Sequence, residues 1–105
     1  MTLTALISYF RKGGSYEEFC LSCELDARSE VIEIYMEQPW EINNDIALFE
    51  IEKTEGLAEY TANNKKYSNL FDFYYFLDVV DESKNMTITD GELAERLLSY
   101  VRDDA

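Results

Sequence analysis

Cys20 and Cys23 are the only cysteines of the 105-residue chain, and their x-x spacing is the first place to look for chemistry. A structural zinc site takes four Cys or His ligands. The chain contains no His, so zinc would need carboxylates or a second chain. A thioredoxin-like pair opens a helix that follows a strand, whereas these residues sit in a stretch that alternates like a strand, which turns the two thiols to opposite faces. The expectation is a reduced pair with Cys23 packed in the core. The missing His also removes Ser-His-Asp and Cys-His catalysis and the usual proton carrier near neutral pH. No acid pair stands in a recognisable catalytic setting, so a non-enzyme without a cofactor is expected.

The stretch from Asp81 to Glu92 resembles an EF-hand loop, with Asp81 first, side-chain oxygens at Ser83, Asn85 and Thr89, a carbonyl at Thr87, Ile88 in its place and Glu92 last. It departs where Met86 replaces the turn glycine and where Ser83 and Asn85 replace charged ligands, and there is no second loop to pair with. A polar helix connection with Thr89 as N-cap is expected and no metal is assigned; a calcium site is the alternative.

Lys plus Arg is 9 and Asp plus Glu is 22, giving a formal charge of −13 on a chain that is 47% apolar and 14% aromatic. Such a chain collapses into one core, and its sign argues against direct nucleic-acid binding. The window from Glu17 to Glu59 holds 13 acids against Arg28 and Lys53. No run approaches the ~20 apolar residues of a membrane span. Arg11 and Lys12 follow the apolar Leu3 to Phe10 stretch instead of preceding it as in a secretory signal. The expected compartment is the cytoplasm.

Those acids need elements to place them. Leu3, Leu6, Ile7 and Phe10 predict a helix over 2–12, closed by Gly13-Gly14. Residues 18–25 alternate Phe19, Leu21, Cys23 and Leu25 against polar neighbours, predicting a strand; Ser15-x-x-Glu18 offers a short capped helix instead. Strands follow at 30–37 and 45–52, with Ile32, Ile34, Met36 and Ala47, Phe49, Ile51 inward. Tyr67, Leu70, Phe71, Tyr74 and Leu77 share a helical stripe, although their aromatic density also suits a strand. Thr89-x-x-Glu92 opens a helix over 90–102. One α+β domain over 1–105 results, a three-stranded antiparallel sheet packed on one face by an N-terminal helix and C-terminal helices.

In that arrangement Glu18, Glu24, Glu33, Glu37, Glu50 and Glu52 line the open sheet face around Tyr35, a field of like charge that costs up to ~1 kcal/mol per opposed pair. A solvated acidic surface is one explanation, and a basic partner is the other. Trp40, beside Pro39, and Tyr75, flanked by Asp72 and Asp78, are candidate anchors or core plugs.

Short length, acidity, absence of His and aromatics beside carboxylates together make the chain resemble the bacterial immunity proteins of contact-dependent growth inhibition. The resemblance is of type across the whole chain, without a motif mapped residue by residue. It implies a cytoplasmic, non-enzymatic monomer that forms a heterodimer with one basic toxin domain, a nuclease, and covers its active site with carboxylates. The partner-binding residues expected are Glu18, Glu24, Glu33, Tyr35, Glu37, Trp40, Glu50, Glu52, Asp72, Tyr75 and Asp78. A nucleic-acid mimic of the anti-restriction or anti-CRISPR kind is the alternative.

Overall fold

The computed structural model describes residues 1–104. Helix α1 (Leu3–Arg11) starts where the Thr2 hydroxyl accepts from the Ala5 amide, and it buries Leu3, Leu6, Ile7 and Phe10, as the spacing predicts. Gly13 then turns the chain at φ 91°, and a Cβ on Gly14 would lie 2.2 Å from the Tyr9 ring, so only glycine lets that ring close over the turn.

The expected strand at 18–25 is instead helix α2 (Tyr16–Ser22). The capping signal prevails over the alternation: the Ser15 hydroxyl accepts from the Glu18 amide at 3.3 Å, and neighbouring Phe19 and Cys20 are both buried while Leu21 is exposed, which a strand with one buried face does not produce. Cys20 is therefore the buried cysteine and Cys23 the exposed one, the reverse of the expectation.

The sheet is antiparallel with four strands, not three, in the order β2-β1-β4-β3: β1 (Ile32–Glu37), β2 (Ile46–Glu50), β3 (Glu59–Ala62) and β4 (Lys65–Asp72). Strand β1 lies within the expected 30–37. The 45–52 strand ends at Glu50, where α3 (Ile51–Thr54) begins, and its faces are inverted by one residue. Ile34 faces Leu48 and Met36 faces Ile46, so Ile46, Leu48 and Glu50 stand on the helix side, while Ala47 and Phe49 share the other side with Tyr35.

Residues 59–72 form a hairpin, so of the expected helical stripe Tyr67, Leu70 and Phe71 lie in a strand and only Tyr74 and Leu77 in a helix. Asn63 and Asn64, at φ 53° and 65°, make the two-residue turn. A bulge in β4 sets Ile34 opposite Phe71 and Tyr35 opposite Asn69, so consecutive Leu70 and Phe71 both enter the core. That irregularity, continued into the following helix, is what imitates a helical stripe. Helix α4 (Phe73–Ser83) starts at Asp72, and α5 (Asp90–Asp104) matches the expected 90–102, its capping box closed both ways between Thr89 and Glu92.

Helices α1, α4 and α5 cover one sheet face. Phe10, Phe19, Phe73 and Phe76 meet there edge to face at centroid distances of 5.5 to 6.2 Å, against Ile32, Ile34 and Met36. The Arg11 guanidinium ties this layer together, donating to the Ser83 carbonyl at 3.0 Å, the Ile88 carbonyl at 2.8 Å and Asp90 at 2.9 Å. Replacing it in Arg11→Met takes the donor from the Ile88 carbonyl and the cation from Asp90, while the Ser83 carbonyl keeps only the Met86 amide at 2.9 Å, and a loss of about 2 to 4 kcal/mol in urea unfolding is expected, against less than about 0.5 kcal/mol for exposed Lys12→Met.

Candidate partner-binding surface

The carboxylate field on the open sheet face does not form. Phe49 of β2 and Tyr60 of β3, on opposite edge strands, meet at 4.9 Å, and Phe49 reaches Tyr67 at 5.7 Å. The sheet curls until its edges touch through their aromatic rings. Tyr35 lies beneath them with no exposed surface and donates its hydroxyl to the Leu57 carbonyl at 2.6 Å, so it fills a second, smaller core and offers no contact to a partner.

The six glutamates of the expected field are separated. Glu18 lies exposed on α2 and Glu24 exposed just beyond it. Glu33 and Glu37 flank the aromatic side of β1; Glu33 accepts from Asn69 at 2.6 Å, while its Oε1 is buried without a partner. Glu50 stands on the helix-covered side, 13% exposed, accepting from the Asp26 amide at 3.1 Å and pairing with Lys53 at 3.2 Å. Glu52 lies in α3. Trp40 is half-buried against the main core, its carbonyl bound by Arg102 and its indole N–H buried without a partner, which makes it a plug rather than an exposed anchor. Asp72 caps α4 through the Tyr75 amide at 2.7 Å. Tyr75 is half-buried and stacks on Tyr100 at 6.0 Å; Asp78 is exposed.

The calcium-like loop has a different geometry from the one its ligand pattern requires. Asp81 and Ser83 lie inside α4, Asp81 pairs with Lys84, and Glu92 closes the α5 cap. The Ser83 and Ile88 carbonyls already face the Arg11 guanidinium. Among the described residues no group of three or more acidic, Cys or His side chains is placed to hold a metal ion.

Apolar and acidic side chains do converge at α2. Leu21 is 78% exposed and Tyr74 49% exposed, and the Tyr74 ring stacks on Tyr16 at 6.2 Å and 27°. They border an open hollow of about 600 Å³ walled by Leu25 and Ala27 and rimmed by Glu17, Asp26 and Arg28. Tyr16 also lines a neighbouring hollow of about 330 Å³ that carries Asp78, Asp81 and Lys84. The Tyr16 hydroxyl is buried near the Cys20 thiol and the Tyr74 hydroxyl, but neither is placed to close a hydrogen bond with it. Burial, and then Cys20, pushes its pKa well above the ordinary tyrosine value. Burial likewise raises Cys20, which keeps that thiol unreactive. Tyr16, Glu17, Leu21, Asp26 and Tyr74 were missed by sequence reasoning. The Ser15-x-x-Glu18 cap could have found Leu21, because on a helix that residue is set away from Phe19 and Cys20; only tertiary packing brings Asp26 and Tyr74 beside it.

Comparison of the chain with family models, curated proteins and solved structures gave no match. Among the described residues no helix is long and apolar enough to cross a membrane.

Two measurements check these assignments. Tyr35→Phe leaves the Leu57 carbonyl without its donor and is expected to cost about 1 to 2 kcal/mol in chemical unfolding. The Ser29 hydroxyl donates to Glu52 at 2.5 Å and holds its carboxyl below the ordinary glutamate value. A depressed folded-state pKa adds stability above the unfolded-chain value and loses it as pH falls through the folded value. In Ser29→Ala, NMR titration is therefore expected to move Glu52 upward, and the stability difference from the parent chain narrows below that pH.

Proposed function

We propose that this chain is a non-enzymatic inhibitor of the immunity-protein type, working in the cytoplasm as a monomer that pairs with one basic toxin domain, a nuclease, and shields its active site. The observation that carries this reading is an acid excess the molecule does not neutralise itself. Five of its nine cations, Arg11, Arg28, Lys53, Lys66 and Lys84, already sit beside carboxylates of their own chain, yet a net charge of −13 remains. Charge of one sign on a small surface steers an oppositely charged partner and raises the encounter rate, reaching about 10⁸ to 10⁹ M⁻¹s⁻¹ at low salt. Carboxylates held where phosphates would lie also compete with a nucleic-acid substrate for the same basic groups. Glu18, Glu24, Glu52 and Asp78 remain exposed for this role. Glu33, Glu37, Asp72 and Tyr75 contribute only through their half-buried edges.

The test is stopped-flow association with the toxin domain that the proposal requires, sought in the reading frames neighbouring this one, together with size-exclusion chromatography. Expected is a one-to-one complex whose association rate falls at least about tenfold between low and high salt, because screening shortens the reach of the field. A chain that forms no complex at low salt, or one whose toxin stays active within the complex, overturns the reading.

A further inference from the structure

The reading above leaves open where the partner docks and which side chain it presents. Four hollows compete, and the one of about 450 Å³ along Asn85, Met86 and Ile88 sets Glu92 against Arg96, so it prefers neither sign of charge. The groove between α4 and α5, about 210 Å³ and lined by Tyr75, Val79, Leu97 and Tyr100, sets Glu82 against Arg96 and so has no preference for charge. The two hollows that share Tyr16 carry Glu17, Asp26, Asp78 and Asp81 against only Arg28 and Lys84, an excess that selects a cation. The larger also has the apolar surface a lasting contact needs. Leu21 is the most exposed of the molecule's large apolar side chains at 78%, and Tyr74 keeps half its surface open between buried Phe73 and Phe76.

We infer that the basic partner enters the α2 hollow with an arginine, its guanidinium lying on the Tyr74 ring and donating to Glu17 and Asp26, while an adjacent apolar side chain packs on Leu21 and Leu25. This rests on the proposal that the partner is a basic protein. Tyr74 is braced from behind by Tyr16, so its face is already set for stacking. Arg28 marks the position: its side chain is 93% exposed, and its Nε stands 3.5 Å from Asp26. A pair so exposed is worth little, and an incoming guanidinium desolvated against Tyr74 displaces it. Arginine is specified over lysine because a planar, weakly hydrated cation stacks on a ring while its edge donors reach two carboxylates, which a compact ammonium does not do.

The experiment titrates the ¹⁵N-labelled full chain with an acetylated, amidated hexapeptide alternating arginine and leucine, and separately with its lysine counterpart. Expected are amide shifts concentrated in residues 16–28 and around 74, and tighter binding of the arginine peptide by about threefold or more. Tyr74→Ala and Glu17→Gln are expected each to weaken binding about fivefold or more, with Tyr74→Phe restoring it and Tyr100→Ala neutral. Shifts spread evenly over the acids, shifts centred between α4 and α5, or a Tyr74→Ala chain that binds as before overturn the inference. Where the toxin domain still associates in a salt-dependent way after any of these, the docking site alone is wrong; where it does not associate at low salt, the functional proposal falls with it.

Discussion

Strand β1 is buried on both of its faces, and that constraint orders the rest of the molecule. Ile32, Ile34 and Met36 lie under α1, α4 and α5, and Tyr35 points the other way into equally complete burial. A strand covered on only one side would have left room for carboxylates opposite the helices. With Tyr35 needing a cover and a hydroxyl acceptor, the sheet curls until Phe49, Tyr60 and Tyr67 close over it and the Leu57 carbonyl accepts its hydrogen bond. Glutamates are thereby kept to the margins of the sheet and to the helices and turns around it.

The helix layer depends on one half-buried cation in a comparable way. Arg11, at the end of α1, reaches the end of α4 and the start of α5 in a single fork. A guanidinium suits this position because its several fixed donors reach the end of one helix, the connecting loop and the first turn of the next at once. A ligand pattern resembling a calcium loop takes another form here because Asp81 and Ser83 are held inside α4, Thr89 and Glu92 close the α5 cap, and the Arg11 guanidinium stands between the two helix ends.

The charge outside these two cores is mostly acidic, and large apolar side chains are exposed among it at few places. Net charge governs how fast and with what sign a partner arrives, whereas a lasting complex needs desolvated contacts. At α2 the two coincide, because a seven-residue helix packs Tyr16, Phe19 and Cys20 inward and has no second layer to cover Leu21.

Much of this was legible in the residues. The first and last helices follow from apolar spacing and end signals, since both pack a single face on a core and carry their caps locally. The α+β class, the strand at 32–37, the charge and the absence of a His-based site were likewise local properties. The sequence alone could not choose between helix and strand at 16–25, where a capping box and an alternation overlap, and packing of adjacent Phe19 and Cys20 decided for the helix. Nor could it place the bulge at Leu70, which depends on pairing with β1, or the face of β2, which depends on its register. A one-residue slip exchanges every side chain between the two sides of a sheet. Composition thus determined how much negative charge the protein carries; only cross-strand pairing and helix docking decided where that charge lies.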